Sequence, residues 1–269
     1  MHTSPALRLR ESDITWNDVS PAHHAPDTVH MTRVLVADLI KEAGHRRVLD
    51  IPCWKGRLTQ LLLDRGIEVV SADINTQQFL VPDRASVWAD LNFGLPFKDE
   101  EFDAVASIEG VEHIENPHLL AREANRVLQP GGKFYVSTPN ILSIRSRLSY
   151  LLRGYQNYFY YMTEIDPATG RERQLDHINP IGFLELRYVL SRWGFRIDRI
   201  LTNRYQKRWS PFYQFLRLLM LTKGRRSAAE HPEVAAVRQA LLSDVVLFGE
   251  ALILVATKIM DYREGLHGG

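Results

Sequence analysis

Four side chains of this sequence could act together on a proton or hold a metal ion: Glu109, Glu112, His113 and His177. Glu109 and Glu112 are three residues apart and His113 is four from Glu109, so on a helical turn Glu109 would face both. His177 follows His113 by 64 residues. Two carboxylates and two imidazoles suit a divalent ion, and the donor types do not choose among Mg²⁺, Mn²⁺, Fe²⁺ and Zn²⁺. Such an ion would lower the pKa of a bound hydroxyl. Without metal, His113 or His177 would serve as a general base beside Glu112. A third reading is structural, with Glu112 capping a turn and His113 hydrogen-bonded near a ligand.

A second set of acids stands at the ends of apolar runs. Val48 to Asp50 reads as a short strand and Ile51 to Gly56 as a tight loop. Arg57 to Arg65 reads as a helix carrying Leu58, Leu61, Leu62 and Leu63, stopped by Gly66. A loop that opens a helix leaves backbone N–H groups free to meet a ligand. The next apolar run, Ile67 to Asp73, ends in a carboxylate about 20 residues after the loop, where a ribose diol would be held. A third strand, Ser86 to Ala89, ends in Asp90-Leu91-Asn92, and a fourth, Phe102 to Ser107, runs into Glu109. Asn116 caps a helix with Pro117 at its first position and an apolar stripe of Leu119, Leu120, Ala124, Val127 and Leu128. Gln129 to Asn140 closes the series.

This order of landmarks resembles the class I S-adenosylmethionine-dependent methyltransferases, strongly over residues 45–142 and weakly over 176–260. The resemblance implies an α/β fold: a doubly wound, Rossmann-like sheet of seven strands, mostly parallel with an antiparallel last strand, helices on both faces and helical insertions. It implies S-adenosylmethionine as cofactor, with Asp50 near the methionine amine and the loop of Pro52, Cys53 and Gly56 beside the methionine carboxylate. Asp73 and Ile74 would lie at the ribose, Asp90 and Leu91 at the adenine, and Ser107 completes the set. The family's first motif has glycine at three positions that here hold Pro52, Trp54 and Gly56. Pro52 suits a turn. Glycine at the position of Trp54 permits φ > 0 or close backbone approach, and an indole does neither cheaply. That departure supports an alternative, an inactive methyltransferase-like subunit that binds or scaffolds a partner.

Glu-x-x-Glu-His with a distant His is similar to the metal site of small-RNA 2′-O-methyltransferases and to a pattern in quinone O-methyltransferases. Ser137-Thr138-Pro139-Asn140, Glu112-His113 and Asp176-His177-Ile178-Asn179-Pro180 resemble bacterial O-methyltransferases of surface-polysaccharide and glycolipid synthesis, and also those that act on quinone precursors. The preferred reading is transfer to a sugar hydroxyl of a polysaccharide, glycolipid or lipid-linked sugar, because two insertions suit a bulky acceptor. The alternative is a quinone precursor or other small molecule.

The chain has 269 residues, 45% of them hydrophobic and 24% charged, enough for one large α/β domain. A net charge of +1 provides no field to attract nucleic acid. The single cysteine, Cys53, excludes an internal disulfide and most zinc sites. Met1 to Asn17 has no signal-peptide pattern and no run of 18 apolar residues exists, so the expected location is the cytoplasm or the inner face of the membrane. Residues 1–44 read as a segment with Trp16 as packing residue or lid, then a helix from Asp27 to Ala43. Its Val29, Met31, Val34, Leu35, Leu39 and Ile40 point inward. Residues 45–260 form the domain, with insertions at 141–176 and 206–248, and 261–269 a tail. The first insertion opens with a helix, Ile141 to Arg153, that interleaves Arg145, Arg147 and Arg153 with Leu148, Tyr150, Leu151 and Leu152, and an aromatic cluster of Tyr155, Tyr158, Phe159, Tyr160 and Tyr161 follows. In the second, the aromatic and basic stretch 206–226 would lie on a membrane, pack on its own domain, or join a homodimer.

Overall fold

The computed structural model describes residues 27–159, 177–222 and 232–261. The seven strands are β1 (Arg47–Asp50), β2 (Glu68–Asp73), β3 (Val87–Trp88), β4 (Phe102–Ile108), β5 (Leu128–Pro139), β6 (Phe195–Leu201) and β7 (Ala251–Lys258). They form one sheet in the order β3-β2-β1-β4-β5-β7-β6. β1 to β5 pair in parallel, and β7 runs antiparallel to both β5 and β6. This is the expected seven-stranded sheet. Strand order reverses between β1 and β4, which opens a crevice at their carboxyl ends.

Helices α1 (Asp27–Glu42) and α2 (Arg57–Leu63) cover one face through Val36, Ala37, Ile40, Leu58 and Leu62. Helices α3 (Pro117–Val127) and α5 (Phe183–Arg192) cover the other through Leu120, Val127, Leu186 and Leu190. β7 is buried along its whole length, which is why Ala251 to Ala256 is apolar without alternation. Helix α4 (Ile144–Arg153) follows the carboxyl end of β5, and α6 (Pro211–Thr222), α7 (Pro232–Leu241) and α8 (Asp244–Phe248) lead into β7. Ile144, Tyr213, Leu247 and Phe248 form a small core of their own. Because Ala251 pairs with Pro139, this helical layer stands at the carboxyl edge of the sheet.

Several boundaries differ from the sequence reading. The buried stripe of α1 holds Val36 and Ala37, while Val29, Met31 and Leu35 are only partly covered, so the helix is rotated from the expected face. α4 begins at Ile144 rather than 141 because Asn140 occupies the turn, its Nδ2 donating to the carbonyls of Val246 and Gly249 at 2.9 Å, and Ser143 Oγ then caps the helix. β3 keeps only two residues, both exposed at the sheet edge. Trp16, Tyr160, Tyr161, Thr163 to Leu175 and the basic residues Lys223, Arg225 and Arg226 lie outside the described residues, as does the tail after Asp261. Among the described residues no helix is long and apolar enough to cross a membrane.

Candidate active site

The loop after β1 is fastened to β2. Cys53 N–H donates to the Ala72 carbonyl at 2.9 Å, and Trp54 N–H donates to Asp73 Oδ2 at 2.7 Å. Trp54 makes that bond from φ 46°, the left-handed region that glycine fills at low cost. The indole therefore adopts the glycine-like backbone after all. It is 37% exposed, its Nε1–H donates to Gln78 Oε1 at 2.7 Å, and Lys55 Nζ lies 4.8 Å from its ring centroid. Gly56 has no such latitude. At φ 80° an added Cβ would lie 2.4 Å from Val81 Cγ2 and 2.6 Å from Phe79. Pro52 packs against Gly110, where a Cβ would fall 2.5 Å from its Cδ. Cys53 is buried, and burial pushes its thiol pKa up, so it is a small unreactive core residue.

Asp50 is buried at the end of β1, where the Thr59 hydroxyl donates to Oδ2 at 2.7 Å. Burial raises its carboxyl from 3.8 to about 6, against the opposing effects of Thr59 and the Arg33 charge. Asp73 is also buried, and each of its oxygens takes one backbone N–H, Oδ2 from Trp54 and Oδ1 from Asn75 at 2.9 Å. A carboxylate offers about four acceptor sites, so both oxygens keep capacity for a vicinal diol. The residues thus fit a ribose. Ile74 is exposed beside Asp73, and Leu91 is buried next to Asp90, whose Oδ1 accepts from Asn92 N–H at 2.8 Å. Ser107 is fully buried at the end of β4, its hydroxyl without a protein partner.

One residue of this crevice escaped the sequence reading. Arg33 of α1 places its guanidinium carbon 5.9 Å from the Trp54 ring centroid, in the field of Asp50 and Glu109. Burial lowers its pKa. The available signal was spacing, since Arg33 stands three and four residues before the buried Val36 and Ala37.

Beyond Ser107 the chain turns at once. Glu109 takes φ 54°, and the following 3₁₀ turn spans only Val111–His113, so the helical spacing expected from Glu109 does not hold. Ser137 claims Glu109 instead: its hydroxyl donates to Oε1 at 2.7 Å and accepts from the Glu109 N–H at 3.0 Å. Glu112 is fully buried, and neither carboxylate oxygen has a hydrogen-bond partner. Burial and then the nearby Glu109 charge push its pKa well above the usual carboxylate range. The Glu112 carbonyl accepts from Ile178 and Asn179 N–H, both at 2.9 Å, which folds the later loop onto this turn. The rings of His113 and His177 meet edge to face with centroids 4.7 Å apart, and Phe159 stands 5.2 Å from His177. One ligand atom from each of Glu112, His113 and His177 lies within 4.8 Å of the others. Three of the four predicted residues meet; Glu109 is held by Ser137 and is not in that group.

The span from Leu49 to Val136, which runs from β1 into β5, matches the family model of a methyltransferase domain. Demethylmenaquinone methyltransferase of Renibacterium salmoninarum is 30% identical over 132 residues, covering 45% of this chain and 56% of that protein. The chain thus spans little more than half the length of that relative. Ubiquinone biosynthesis O-methyltransferase of Paracidovorax citrulli is 26% identical over 216 residues, 71% of this chain and 91% of that protein. In fold the domain is similar to a SAM dependent methyltransferase from Archaeoglobus fulgidus, with a TM-score of 0.52 over 84% of this chain and 94% of that one at 20% identity.

Proposed function

We propose that the domain transfers the sulfonium methyl group of S-adenosylmethionine to a hydroxyl of a small aromatic acceptor of the quinone-precursor kind. The observation that carries this reading is the meeting of Glu112, His113 and His177 at the carboxyl edge, next to the crevice with Asp50 and Asp73. The relatives named above belong, by their names, to menaquinone and ubiquinone synthesis. That favours the small-molecule acceptor over the surface polysaccharide, which neither name supports. The left-handed Trp54, which leaves Asp73 able to accept further, favours a working cofactor site over an inert scaffold.

When bound, S-adenosylmethionine supplies a methyl group on a cationic sulfur. Asp50 meets its ammonium, Arg33 its carboxylate and Asp73 its ribose hydroxyls, which fixes the direction in which the methyl points. An imidazole nitrogen of His113 removes the proton from the acceptor hydroxyl as its oxygen attacks. His177 stands against Phe159 and borders the same acceptor position. Glu112 favours a second reading: two buried oxygens without a hydrogen-bond partner, beside two imidazoles, are a donor set for a divalent ion. Such an ion would place positive charge against the acceptor oxygen. The test is transfer of labelled methyl from S-adenosylmethionine to a panel of catechols, hydroxyquinones and free sugars. Transfer confined to sugars would overturn the acceptor class, and absence of S-adenosylmethionine binding would overturn the whole reading.

A further inference from the structure

The helical layer at the carboxyl edge carries a surface that methyl transfer does not use. α6 reads Pro-Phe-Tyr-Gln-Phe-Leu-Arg-Leu-Leu-Met-Leu-Thr, with Arg217 as its one ionic residue. A helix apolar around its circumference is normally buried. Here Tyr213 is buried against Ile144, Leu247 and Phe248, with Leu216 and Met220 partly covered. The remaining circumference faces solvent: Phe212 and Phe215 are 55% exposed, Leu218 59%, and Trp209 just ahead of the helix 82%. Leu151 and Leu152 of α4 are exposed as well. Between α4, α6 and α7 lies an open groove of about 520 Å³ lined by leucines, Met220 and two guanidinium side chains, Arg147 and Arg238.

The two segments that carry most of the exposed side chains are one-sided in charge, although α7 and α8 add Glu233 and Asp244 against Arg238. Residues 141–159 and 203–222 together hold seven Lys or Arg and no Asp or Glu, in a chain whose net charge is only +1. Asp244 takes up Arg208 and Arg217, and Glu250 takes up Arg204. Among the described residues, Arg145, Arg147, Arg153 and Lys207 have no carboxylate partner; Arg145 bonds the Gln206 amide and Arg147 the Leu142 carbonyl.

We propose that this face docks on an anionic lipid bilayer, with Trp209, Phe212, Phe215 and Leu218 in the headgroup boundary and Lys207 and Arg153 on lipid phosphates. Exposed aromatics and leucines rimmed by cations match the two requirements of interfacial binding, apolar area and attraction to negative headgroups. Two copies of the chain fit less well, because docking them face to face would oppose like charges. The inference does not depend on the acceptor, but it gives the layer a purpose. The loop after α4 brings Phe159 to His177 and Tyr158, whose hydroxyl donates to Glu250 Oε1 at 2.6 Å, to the same edge. A docked face would therefore hold the catalytic edge close to the membrane.

The full chain is mixed with sedimentable vesicles of phosphatidylcholine alone, or of phosphatidylcholine with about a quarter phosphatidylglycerol, at low salt and at about 0.5 M salt. The expected result is binding at least about tenfold stronger to the phosphatidylglycerol vesicles, weakened by salt. Phe212→Ser with Phe215→Ser should release most of the bound protein, and Lys207→Glu with Arg153→Glu should reduce binding about tenfold, both with unchanged circular dichroism and S-adenosylmethionine affinity. No binding to either vesicle, equal binding to both at high salt, or indifference to both double variants would overturn the proposal. So would a chain that ignores vesicles but sediments as a dimer that the Phe212 and Phe215 changes convert to monomer.

Discussion

The backbone N–H of Trp54 donates to Asp73 Oδ2 at 2.7 Å, while Asn75 N–H donates to Oδ1 of the same side chain. One carboxylate therefore ties the turn after β1 to the turn after β2 and still has sites left for a ligand. Asp73→Ala is expected to weaken S-adenosylmethionine binding by roughly 1.5–3 kcal/mol, the worth of hydrogen bonds to a charged group. Calorimetric titration measures it, and an unchanged affinity would place the ribose elsewhere.

Gly56→Ala combines a left-handed backbone with a Cβ 2.4 Å from Val81 Cγ2. The backbone contributes roughly 1–2 kcal/mol and the overpacking roughly 1–3, for a total loss of about 2–5 kcal/mol in denaturant unfolding. Trp54→Gly is expected to behave differently. It removes the strain of a non-glycine residue at φ 46° and leaves the N–H that bonds Asp73 in place, so S-adenosylmethionine affinity should stay within about tenfold. A larger loss would make the indole part of the binding surface.

Asp50 sets a pH dependence whose direction follows from burial. Its folded-state carboxyl titrates at about 6, above the ordinary 3.8, so the folded chain holds this proton more tightly than the unfolded one. Stability from this group is greatest in acid, falls as pH rises between the two values, and is lower by roughly 3 kcal/mol above the upper one. Asp50→Asn should flatten that part of the stability curve. Cofactor affinity should run the other way, rising as Asp50 ionises through about pH 6 and level above it, because a cationic amine needs the carboxylate. A flat affinity from about pH 5 to 8 would mean that Asp50 does not meet the amine.

The Glu112, His113 and His177 group separates its two chemical readings by chelation. If a divalent ion acts there, exhaustive chelation abolishes transfer, metal add-back restores it, and Glu112→Gln raises the metal concentration needed. If the imidazole acts alone, activity survives chelation and His113→Ala lowers kcat by about 10²–10⁴-fold. Full activity in both His113→Ala and His177→Ala would leave alignment as the sole source of rate.

The places of Asp50 and Asp73 at strand ends were legible in the sequence because each stands where an apolar run stops. His113 and His177 were legible as residue types, and the chain does bring them together. Glu109 misled because nothing in a glutamate announces φ 54°: a local backbone choice moved it from the helical register to Ser137, 28 residues away. Arg33 was missed because a cation in an amphipathic helix is read as solvent-facing, and its depth depends on how α1 is rotated against the sheet. Trp54 looked obstructive by type, yet the bonds to Asp73 and Gln78 stabilise the conformation its side chain disfavours.

The position of β7 also bears on how the molecule is made. β6 pairs with β7 alone, and β7 is at once the outer neighbour of β5, although 49 residues separate the end of β6 from Ala251. A ribosome therefore releases β5 and β6 before the strand that joins them exists: β5 waits with one side unpaired and β6 with no strand beside it at all. Translation halted anywhere in that interval yields two open, adhesive borders in a single nascent chain, a substrate for chaperones and proteases in place of a smaller working domain.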